Sequence, residues 1–300
     1  MQKSTILIAG GSGLIGSRLA EMLHSQGHTV RLLSRSPKGE GQFYWNPFSG
    51  EIATEALQGV DFVVNLTGAG IADKRWTATR KKELIESRVQ SAALLYRTMQ
   101  GMSKRPKAYL SASAVGIYGN SGETWMREDT PPVDQSFMVE CCQNWESSAD
   151  EMLRLGIRTV KFRIGVVLAK EGGALAEIVK PLRFGLGAYF GSGQAWWPWV
   201  YRDDVCRAFI WAIENQAVEG VFNLCAPTPA RGKELVKASA KAMKQPAVFL
   251  PAPALVLRLI FGEMSAVILN SNRVSSEKLT QAGFEFQWPE LNAALRNIFA

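Results

Sequence analysis

The strongest chemical signal in the chain is a glycine-rich turn close to its start. Within the run Thr5–Ser17, glycines stand at Gly10, Gly11, Gly13 and Gly16, which satisfies the G-x-G-x-x-G spacing. Such glycines let the backbone approach a dinucleotide pyrophosphate, and the N-terminus of a following helix offers free N–H groups to its negative charge. A tight strand-to-helix turn without a ligand has the same pattern.

The surrounding sequence favours the dinucleotide interpretation. An apolar strand pattern precedes the turn and a helical apolar pattern follows it. Leu14 and Ile15 begin that helix, so we expect their backbone N–H groups to face the phosphates. The last glycine is followed by Ser17 and Arg18, whereas an NTPase loop requires lysine and then serine or threonine.

The end of the next strand predicts which dinucleotide is bound. The chain reads Ser34, Arg35, Ser36 there, with no carboxylate to bond the ribose 2′-hydroxyl of NAD. Arg35 can offer a fork of donors to the 2′-phosphate of NADP, and either serine can add a hydroxyl. We therefore expect NADP(H) ahead of NAD(H); the alternative is a solvated loop arginine.

Length and composition limit the remaining classes of function. The 300 residues suggest one large or two small domains, and 47% hydrophobic residues suffice for a core. The net charge of +7 raises nucleic acid as a partner. However, the densest basic run, residues 74–82, is followed by Glu83 and Glu86, which is typical of a solvated helix start. No nucleic-acid partner is predicted.

The few cysteines and histidines and the short apolar runs argue against metal-binding, membrane-spanning and secreted proteins. Four cysteines include no C-x-x-C pair, and only two histidines occur, so we predict no metal site. No apolar run approaches the ~20 residues of a membrane span. The apolar run before Gly10 is too short for a secretion signal, so a cytoplasmic location is expected.

Strand and helix patterns alternate through the first half of the chain. This order predicts an α/β protein with a doubly wound parallel sheet of the Rossmann type and a smaller, interleaved C-terminal substrate lobe. We predict a dinucleotide-binding domain over residues 1–165, to which residues 204–226 return. The substrate lobe would comprise residues 166–203 and 227–300.

These features resemble an extended short-chain dehydrogenase/reductase of the NAD(P)-dependent epimerase/dehydratase superfamily. The resemblance covers nearly the whole chain and is greatest to an atypical subgroup of bacterial and organellar "epimerase family" proteins. The residues that carry it are Gly10, Gly13, Gly16, Ser111–Gly119, Cys142, Trp145, Glu146, Arg163–Val167, Pro198–Asp204 and Phe222–Asn223.

The resemblance implies a catalytic serine and a Tyr-x-x-x-Lys pair. In the family, the lysine lowers the tyrosine pKa so that the phenol exchanges a proton while hydride moves. Ser113 matches the serine that hydrogen-bonds the substrate oxygen. Anchoring the pattern on Glu146 places Cys142 at the lysine position and Met138 at the tyrosine position. Neither can replace the pair, since methionine carries no proton and an unassisted cysteine is mostly neutral.

Two interpretations follow from this departure. In one, the chemistry survives with another acid or base, for which Tyr118, Glu140 and Tyr201 are candidates. In the other, the protein binds NADP(H) without the family reaction and serves as a sensor or regulatory partner. Ser113 itself has a structural alternative, as a strand-end serine that caps a turn.

Further cofactor contacts are implied by the resemblance. Leu66, Thr67 and Gly68 follow the third strand, which lines the cofactor in the family, and Glu83 is a candidate contact nearby. Arg88 falls where relatives keep an asparagine near the nicotinamide, so it could hold a phosphate or a substrate anion. The alternative for Arg88 is a surface pair with a glutamate one helical turn away.

The sequence is less specific about which residues contact a substrate. Trp199 and Tyr201 are candidate substrate contacts because aromatic rings can lie against a base or a sugar face, although they can equally be core residues. Arg183 could meet an anionic substrate. We predict a small-molecule substrate of the carbonyl or sugar type and a protein that is a monomer or homodimer.

Overall fold

A parallel sheet, extended at one edge by an antiparallel strand, organises the protein. The computed structural model describes residues 3–300. Its strands are β1 (Thr5–Ala9), β2 (Thr29–Ser34), β3 (Gln42–Asn46), β4 (Glu51–Ile52), β5 (Phe62–Asn65), β6 (Ala108–Ala114), β7 (Trp125–Met126), β8 (Arg158–Ile164), β9 (Val166–Leu168), β10 (Leu186–Phe190), β11 (Trp196–Trp197), β12 (Trp199–Tyr201), β13 (Gly220–Leu224), β14 (Ala230–Arg231), β15 (Val248–Ala252) and β16 (Arg273–Val274).

The helices alternate with these strands in the first half of the chain and dominate the C-terminal part. They are α1 (Leu14–Ser25), α2 (Ala78–Gln100), α3 (Phe137–Asp150), α4 (Gly173–Leu182), α5 (Arg202–Glu214), α6 (Gly232–Ala242), α7 (Ala254–Phe261), α8 (Ala266–Leu269), α9 (Glu277–Gln281) and α10 (Leu291–Phe299). None of the helices in residues 3–300 is long and apolar enough to cross a lipid bilayer.

The main sheet has eight strands in the order β13-β8-β6-β5-β1-β2-β3-β4, and only β4 runs antiparallel to its neighbour. The chain moves outward from β1 to β4 and then returns to the other side of β1 through β5. Strand order therefore reverses between β1 and β5, which is where ligands of doubly wound sheets bind. The predicted fold class is confirmed.

Alternating side chains of the strands build a core on each face of the sheet. Ile6 and Ile8 of β1 pack with α1 and α5 on one face. Leu7 and Ala9 pack with α2 and α3 on the other. These positions are fully buried, because every central strand of the sheet is covered on both sides.

A second lobe has a hydrophobic core of its own. Helices α4, α6 and α10 share a core with Trp197 and Trp199, and the short strand pairs β10–β15 and β11–β14 lie beside it. The main sheet takes its last strand, β13, from residues 220–224, between parts of this lobe.

Candidate functional site

The glycine turn has a geometry that side chains would destroy. Gly10 has a φ of +84°, and a Cβ on it would lie 2.9 Å from the carbonyl carbon of Leu66. A Cβ on Gly16 would lie 2.8 Å from the Cα of Gly11 and closer still to the carbonyl oxygen of Gly10. The turn is closed by a hydrogen bond of 3.1 Å from Gly13 N to Gly10 O. Glycine at positions 10 and 16 thus lets β1, α1 and the loop after β5 touch.

A cleft of about 450 Å³ opens above this turn. It lies at the carboxyl ends of β1, β2, β3 and β5, in the size range of small-molecule sites. The residues that line it are Gly10, Ser12, Gly13, Leu33, Ser34, Arg35, Ser36, Trp45, Pro47, Phe48, Leu66, Thr67, Gly68, Ala69, Glu83 and Ser87. Of the residues predicted to hold the cofactor, Leu14, Ile15, Gly16 and Arg88 are outside this lining.

Arg35 is the one lysine or arginine among the residues that line the cleft. It is exposed and lines the wall between Ser34 and Ser36. Within residues 3–300, its guanidinium makes no hydrogen bond or ion pair with the protein. The Ser36 N–H donates to Ser34 Oγ at 3.1 Å, which orders the loop on either side of Arg35.

The one carboxylate in the lining is already engaged. Glu83 accepts a hydrogen bond of 2.7 Å from Arg80, and this bond holds the pKa of the Glu83 carboxyl below its usual range. It comes from α2, not from the end of β2. Among the residues lining the cleft, none is therefore an acid placed beside Arg35 to bond a ribose hydroxyl.

The loop after β5 is fixed by buried polar contacts. Asn65 donates to the Tyr109 hydroxyl at 2.7 Å and accepts from the Thr67 backbone N–H at 3.1 Å. The Thr67 hydroxyl donates to Ser91 Oγ at 2.7 Å. These bonds set the path of the backbone that forms the cleft wall.

Arg88 supports this loop from beneath. Its guanidinium donates to the carbonyl oxygens of Leu84 at 2.7 Å and Ala69 at 3.2 Å, and it lies 4.6 Å from the ring centroid of Trp145. A Cβ on Gly68 would come within 2.8 Å of it. Burial lowers the pKa of Arg88. The alternative of a surface pair with a glutamate is wrong, since α2 turns this residue toward the sheet.

A buried network joins Ser113 to the neighbouring strands. Ser113 Oγ donates to Glu146 Oε1 at 2.7 Å. Arg163 donates to both Glu146 oxygens at 2.8 and 3.0 Å, and also to the Tyr118 hydroxyl at 2.9 Å. Tyr118 in turn donates to Asn223 Oδ1 at 2.7 Å. Strands β6, β8 and β13 and helix α3 are therefore connected through their polar side chains.

This network changes the expectation for Tyr118. The residue is fully buried, and burial raises its pKa to about 12. Its hydroxyl already accepts from Arg163 and donates to Asn223, so it has no proton free for a substrate. The structure does not support Tyr118 as a catalytic acid; the residue holds the network together.

The positions of the expected Tyr-x-x-x-Lys pair are apolar. Met138 is half-buried, and its Cε lies 2.6 Å from where a Cβ on Gly116 would stand. Cys142 is buried among apolar side chains, and burial raises the pKa of its thiol. Glu140 faces solvent on the other side of α3. None of the three side chains takes the place of the missing phenol.

The expected substrate residues lie elsewhere. Trp199 is fully buried and donates its indole N–H to the Thr228 carbonyl at 2.8 Å. The Tyr201 hydroxyl accepts a hydrogen bond of 2.9 Å from Asn297. Arg183 is exposed at the end of α4. None of these three lines the cleft, and the two aromatic residues belong to the core of the second lobe.

A second cavity adjoins Met138. It has a volume of about 450 Å³ and is lined mainly by apolar atoms from α3 and from residues 258–270. Trp76, Met138 and Met264 pack in one cluster with Ala69, which also lines the first cleft. This apolar cluster therefore extends from Ala69 in the wall of the first cleft to the second cavity, whose lining also includes Arg258 and Glu263.

Sequence reasoning missed one wall of the first cleft. Trp45, Pro47 and Phe48 come from β3 and the turn after it. The segment Gln42–Asn46 is short, carries three consecutive aromatic residues and no apolar/polar alternation, and is followed by a proline. It nevertheless forms a strand that pairs in parallel with β2. A doubly wound sheet needs a strand beyond β2, and that requirement could have revealed it.

Comparisons with known proteins agree with this geometry. Residues 6–225 match the NAD dependent epimerase/dehydratase family, and residues 252–298 match a domain of unknown function. The human epimerase family protein SDR39U1 is 34% identical over 298 residues, which are 98% of this chain and 99% of the relative. An epimerase family protein of Staphylococcus aureus is 34% identical over 295 residues, covering 97% and 98% of the two chains.

Solved structures show the same architecture. The crystal structure of human SDR39U1 with NADPH superposes with a TM-score of 0.88 at 32% identity, covering 98% of this chain and 99% of that one. A nucleoside-diphosphate sugar epimerase from Corynebacterium glutamicum gives a TM-score of 0.81 at 27% identity, covering 99% of this chain and 58% of that longer protein.

Proposed function

The chain belongs to the NAD-dependent epimerase/dehydratase family, and from this premise we propose that its cleft binds NADP(H) in preference to NAD(H). The observation that carries the proposal is the unpaired guanidinium of Arg35 between two serines, without a carboxylate beside it. The human relative that superposes along the whole chain was solved with NADPH, which supports the same choice.

The residues of the cleft suit each part of such a cofactor. Ser12 and Gly13 line the cleft where α1 begins, and the free backbone N–H groups of the first turn of α1, beside that lining, would bind the pyrophosphate. Arg35 would pair with the 2′-phosphate, and Phe48 with Pro47 offers an apolar wall for the adenine. When bound, the nicotinamide supplies or accepts hydride. Arg88 holds the loop at Gly68 and Ala69 without itself lining the cleft.

We propose that the substrate is a carbonyl or sugar-type small molecule that meets Ser113, a buried serine that lines neither of the two cavities described above. Because the Ser113 hydroxyl donates to Glu146, its oxygen is left to accept a hydrogen bond. A substrate hydroxyl therefore suits this position better than a carbonyl oxygen. Met138 would place an apolar side chain where the resemblance puts the family's tyrosine. The proton of a substrate hydroxyl would instead pass to Ser113 Oγ as the Ser113 proton passes to the Glu146 carboxylate.

A second candidate function is a non-catalytic NADP(H)-binding regulator. It is favoured by the fact that the hydroxyls of Ser113 and Tyr118 are both buried and both bonded within the protein. The two candidates share the cofactor and differ in whether hydride is transferred.

Arg35→Ala tests the cofactor proposal. A charged hydrogen bond contributes roughly 1.5–3 kcal/mol, so the variant should bind NADPH about 10- to 100-fold more weakly than the wild type. NADH affinity should change little. Arg154→Ala is a matched control, because Arg154 is an exposed arginine paired with Glu151, outside the cleft lining. Equal weakening for both coenzymes would contradict the proposed role of Arg35.

The choice between the two functions needs a turnover assay. Wild-type protein saturated with NADPH or NADP is followed by absorbance against a panel of carbonyl compounds, alcohols and nucleotide sugars. Turnover that Ser113→Ala abolishes, while NADPH binding persists, supports the enzyme. Bound cofactor with no turnover favours the regulator. Met138→Tyr combined with Cys142→Lys should then create turnover if the missing pair is the only defect.

A further inference from the structure

The second lobe exposes large apolar residues that do not line the cleft. We call this surface the apolar face. Its residues are 39–89% exposed and are Phe184, Leu186, Val248, Leu250, Leu255, Val256, Leu259 and Ile260. The other large exposed apolar residues of the described chain come from four separate segments: Tyr44 with Phe48, Trp125, Val133 and Leu153.

Strand pairing and chain order place the members of the apolar face on neighbouring segments. Strands β10 and β15 pair in parallel with Leu186 opposite Val248, so these side chains share one side of the two-stranded sheet. Phe184 lies in the turn directly before β10, and α7 begins directly after β15. The other side of the pair is covered by α6, where Lys237 lies over the ring of Phe249.

Helix α7 cannot bury this surface itself. Its sequence is ALVLRLIF, and Leu257 is the residue that points into the protein. Leu255, Val256, Leu259 and Ile260 remain exposed on the rest of the helix. Soluble monomers rarely expose contiguous apolar patches above a few hundred Å², and larger ones mark interaction surfaces.

The charges next to the apolar face are mostly positive. Lys180, Arg183, Lys244 and Arg258 belong to its segments, whereas Lys237 and Lys241 lie on α6, which covers the other side of the strand pair. Two glutamates border these segments and are already paired, Glu177 with Lys180 and Glu263 with Lys81. Within residues 3–300, Arg183, Lys244 and Arg258 form no ion pair. An occupant of the face should therefore be apolar in the centre and anionic at the edge.

We propose that the apolar face docks on an anionic lipid surface. Apolar side chains next to lysine and arginine are the combination by which interfacial segments bind membranes containing acidic headgroups. A second copy of the chain fits less well, because a two-fold interface built on this face would bring the cations of one copy near those of the other. Docking here would use no residue that lines the NADP(H) cleft, although Arg258 of α7 also lines the second cavity.

Vesicle co-sedimentation tests the proposal. Wild-type protein is mixed with vesicles of pure phosphatidylcholine, or of an equimolar mixture of phosphatidylcholine and phosphatidylglycerol. We expect binding to the mixed vesicles that falls as salt is raised. Leu255→Glu combined with Leu259→Glu should weaken it by at least about tenfold. Leu153→Glu, at an exposed leucine outside the face, is the matched control and should bind as the wild type does.

Folding and self-association are measured on the same samples. Far-UV circular dichroism confirms that each variant is folded, and sedimentation velocity gives its oligomeric state. The proposal is overturned if wild-type protein pellets with neither kind of vesicle, or if the double variant pellets as well as the wild type. It is also overturned if the protein ignores vesicles and forms a dimer that the double variant dissociates, since the face then belongs to a second copy.

Discussion

Glu146→Gln should be among the most damaging conservative changes in this protein. The substitution keeps the shape of the side chain but removes its charge and one of its acceptor oxygens. Glu146 receives hydrogen bonds from Ser113 and two from Arg163, at 2.7–3.0 Å. Both ionic side chains are nearly inaccessible, with 9 and 10% of their surfaces exposed. The guanidinium of Arg163 would then stay buried without its counter-ion.

The magnitude follows from this burial. Removing one partner of a buried ion pair costs roughly 3–5 kcal/mol, because the remaining charge is uncompensated. With a urea dependence of roughly 3 kcal/mol per molar, the unfolding midpoint should fall by about 1–2 M. Glu277→Gln breaks the exposed pair with Arg127 instead and should cost less than about 1 kcal/mol.

Urea unfolding followed by tryptophan fluorescence measures both variants. A double variant, Glu146→Leu with Arg163→Met, should recover part of the lost stability, since replacing both partners by apolar groups removes the unpaired charge. The reasoning is refuted if Glu146→Gln lowers the free energy of unfolding no more than Glu277→Gln does. The network would then not hold β6, β8 and α3 together.

Three further outcomes are expected. Gly16→Ala should lower NADPH affinity by at least about tenfold in calorimetry, because its Cβ meets backbone atoms of the glycine turn, while Gly39→Ala, with open space around it, should not. Arg88→Met should weaken NADPH binding by loosening the loop at Ala69 without changing the preference over NADH; a changed preference would show direct contact. Because burial raises the pKa of Tyr118 to about 12, the folded protein keeps this phenol neutral while the unfolded chain ionises it from a pKa near 10. The stability that this neutral phenol contributes is therefore complete below pH ~10 and is lost as the pH rises toward ~12. In urea titrations over that pH range, the free energy of unfolding of Tyr118→Phe should fall less steeply than that of the wild type.

Local patterns predict the elements of this fold well. The apolar run at β1, the glycine turn and the periodicity of α1 are contained within a short stretch, and each follows from neighbouring residues. Helix α2 begins directly after Thr77, whose side chain accepts from the Arg80 N–H, and ends before Gly101. Strand β8 ends directly before Gly165. Such elements are decided by hydrophobic periodicity and by the residues that begin and end them.

Features that depend on distant pairing are less accessible from sequence. Arg88 has glutamates near it along α2, which suggests a surface pair, yet the helix face that packs on the sheet carries it inward. Asp203 lies in the first turn of α5, where an acid is typical of a helix start, but it accepts two hydrogen bonds from Arg18 of α1, at 3.1 and 2.8 Å. Asp204 accepts from the backbone N–H groups of Gln287 and Trp288.

The residues of the candidate site also differ in whether local sequence or distant residues decide their position. The phosphate-binding turn and Arg35 are local signals, whereas the buried state of Tyr118 depends on Arg163 and Asn223, which are 45 and 105 residues away. Trp199 is aromatic and lies in a family motif, which is equally compatible with a substrate contact and a core position. Its burial in the second lobe is decided by packing of α6 and α10 around it.

Isothermal titration of cofactor-free wild-type protein with NADPH and with NADH tests the central claim most directly. The free guanidinium of Arg35 predicts saturable binding of one NADPH per chain, at least about tenfold tighter than NADH. No saturable heat with either coenzyme, or equal affinity for both, would contradict the account.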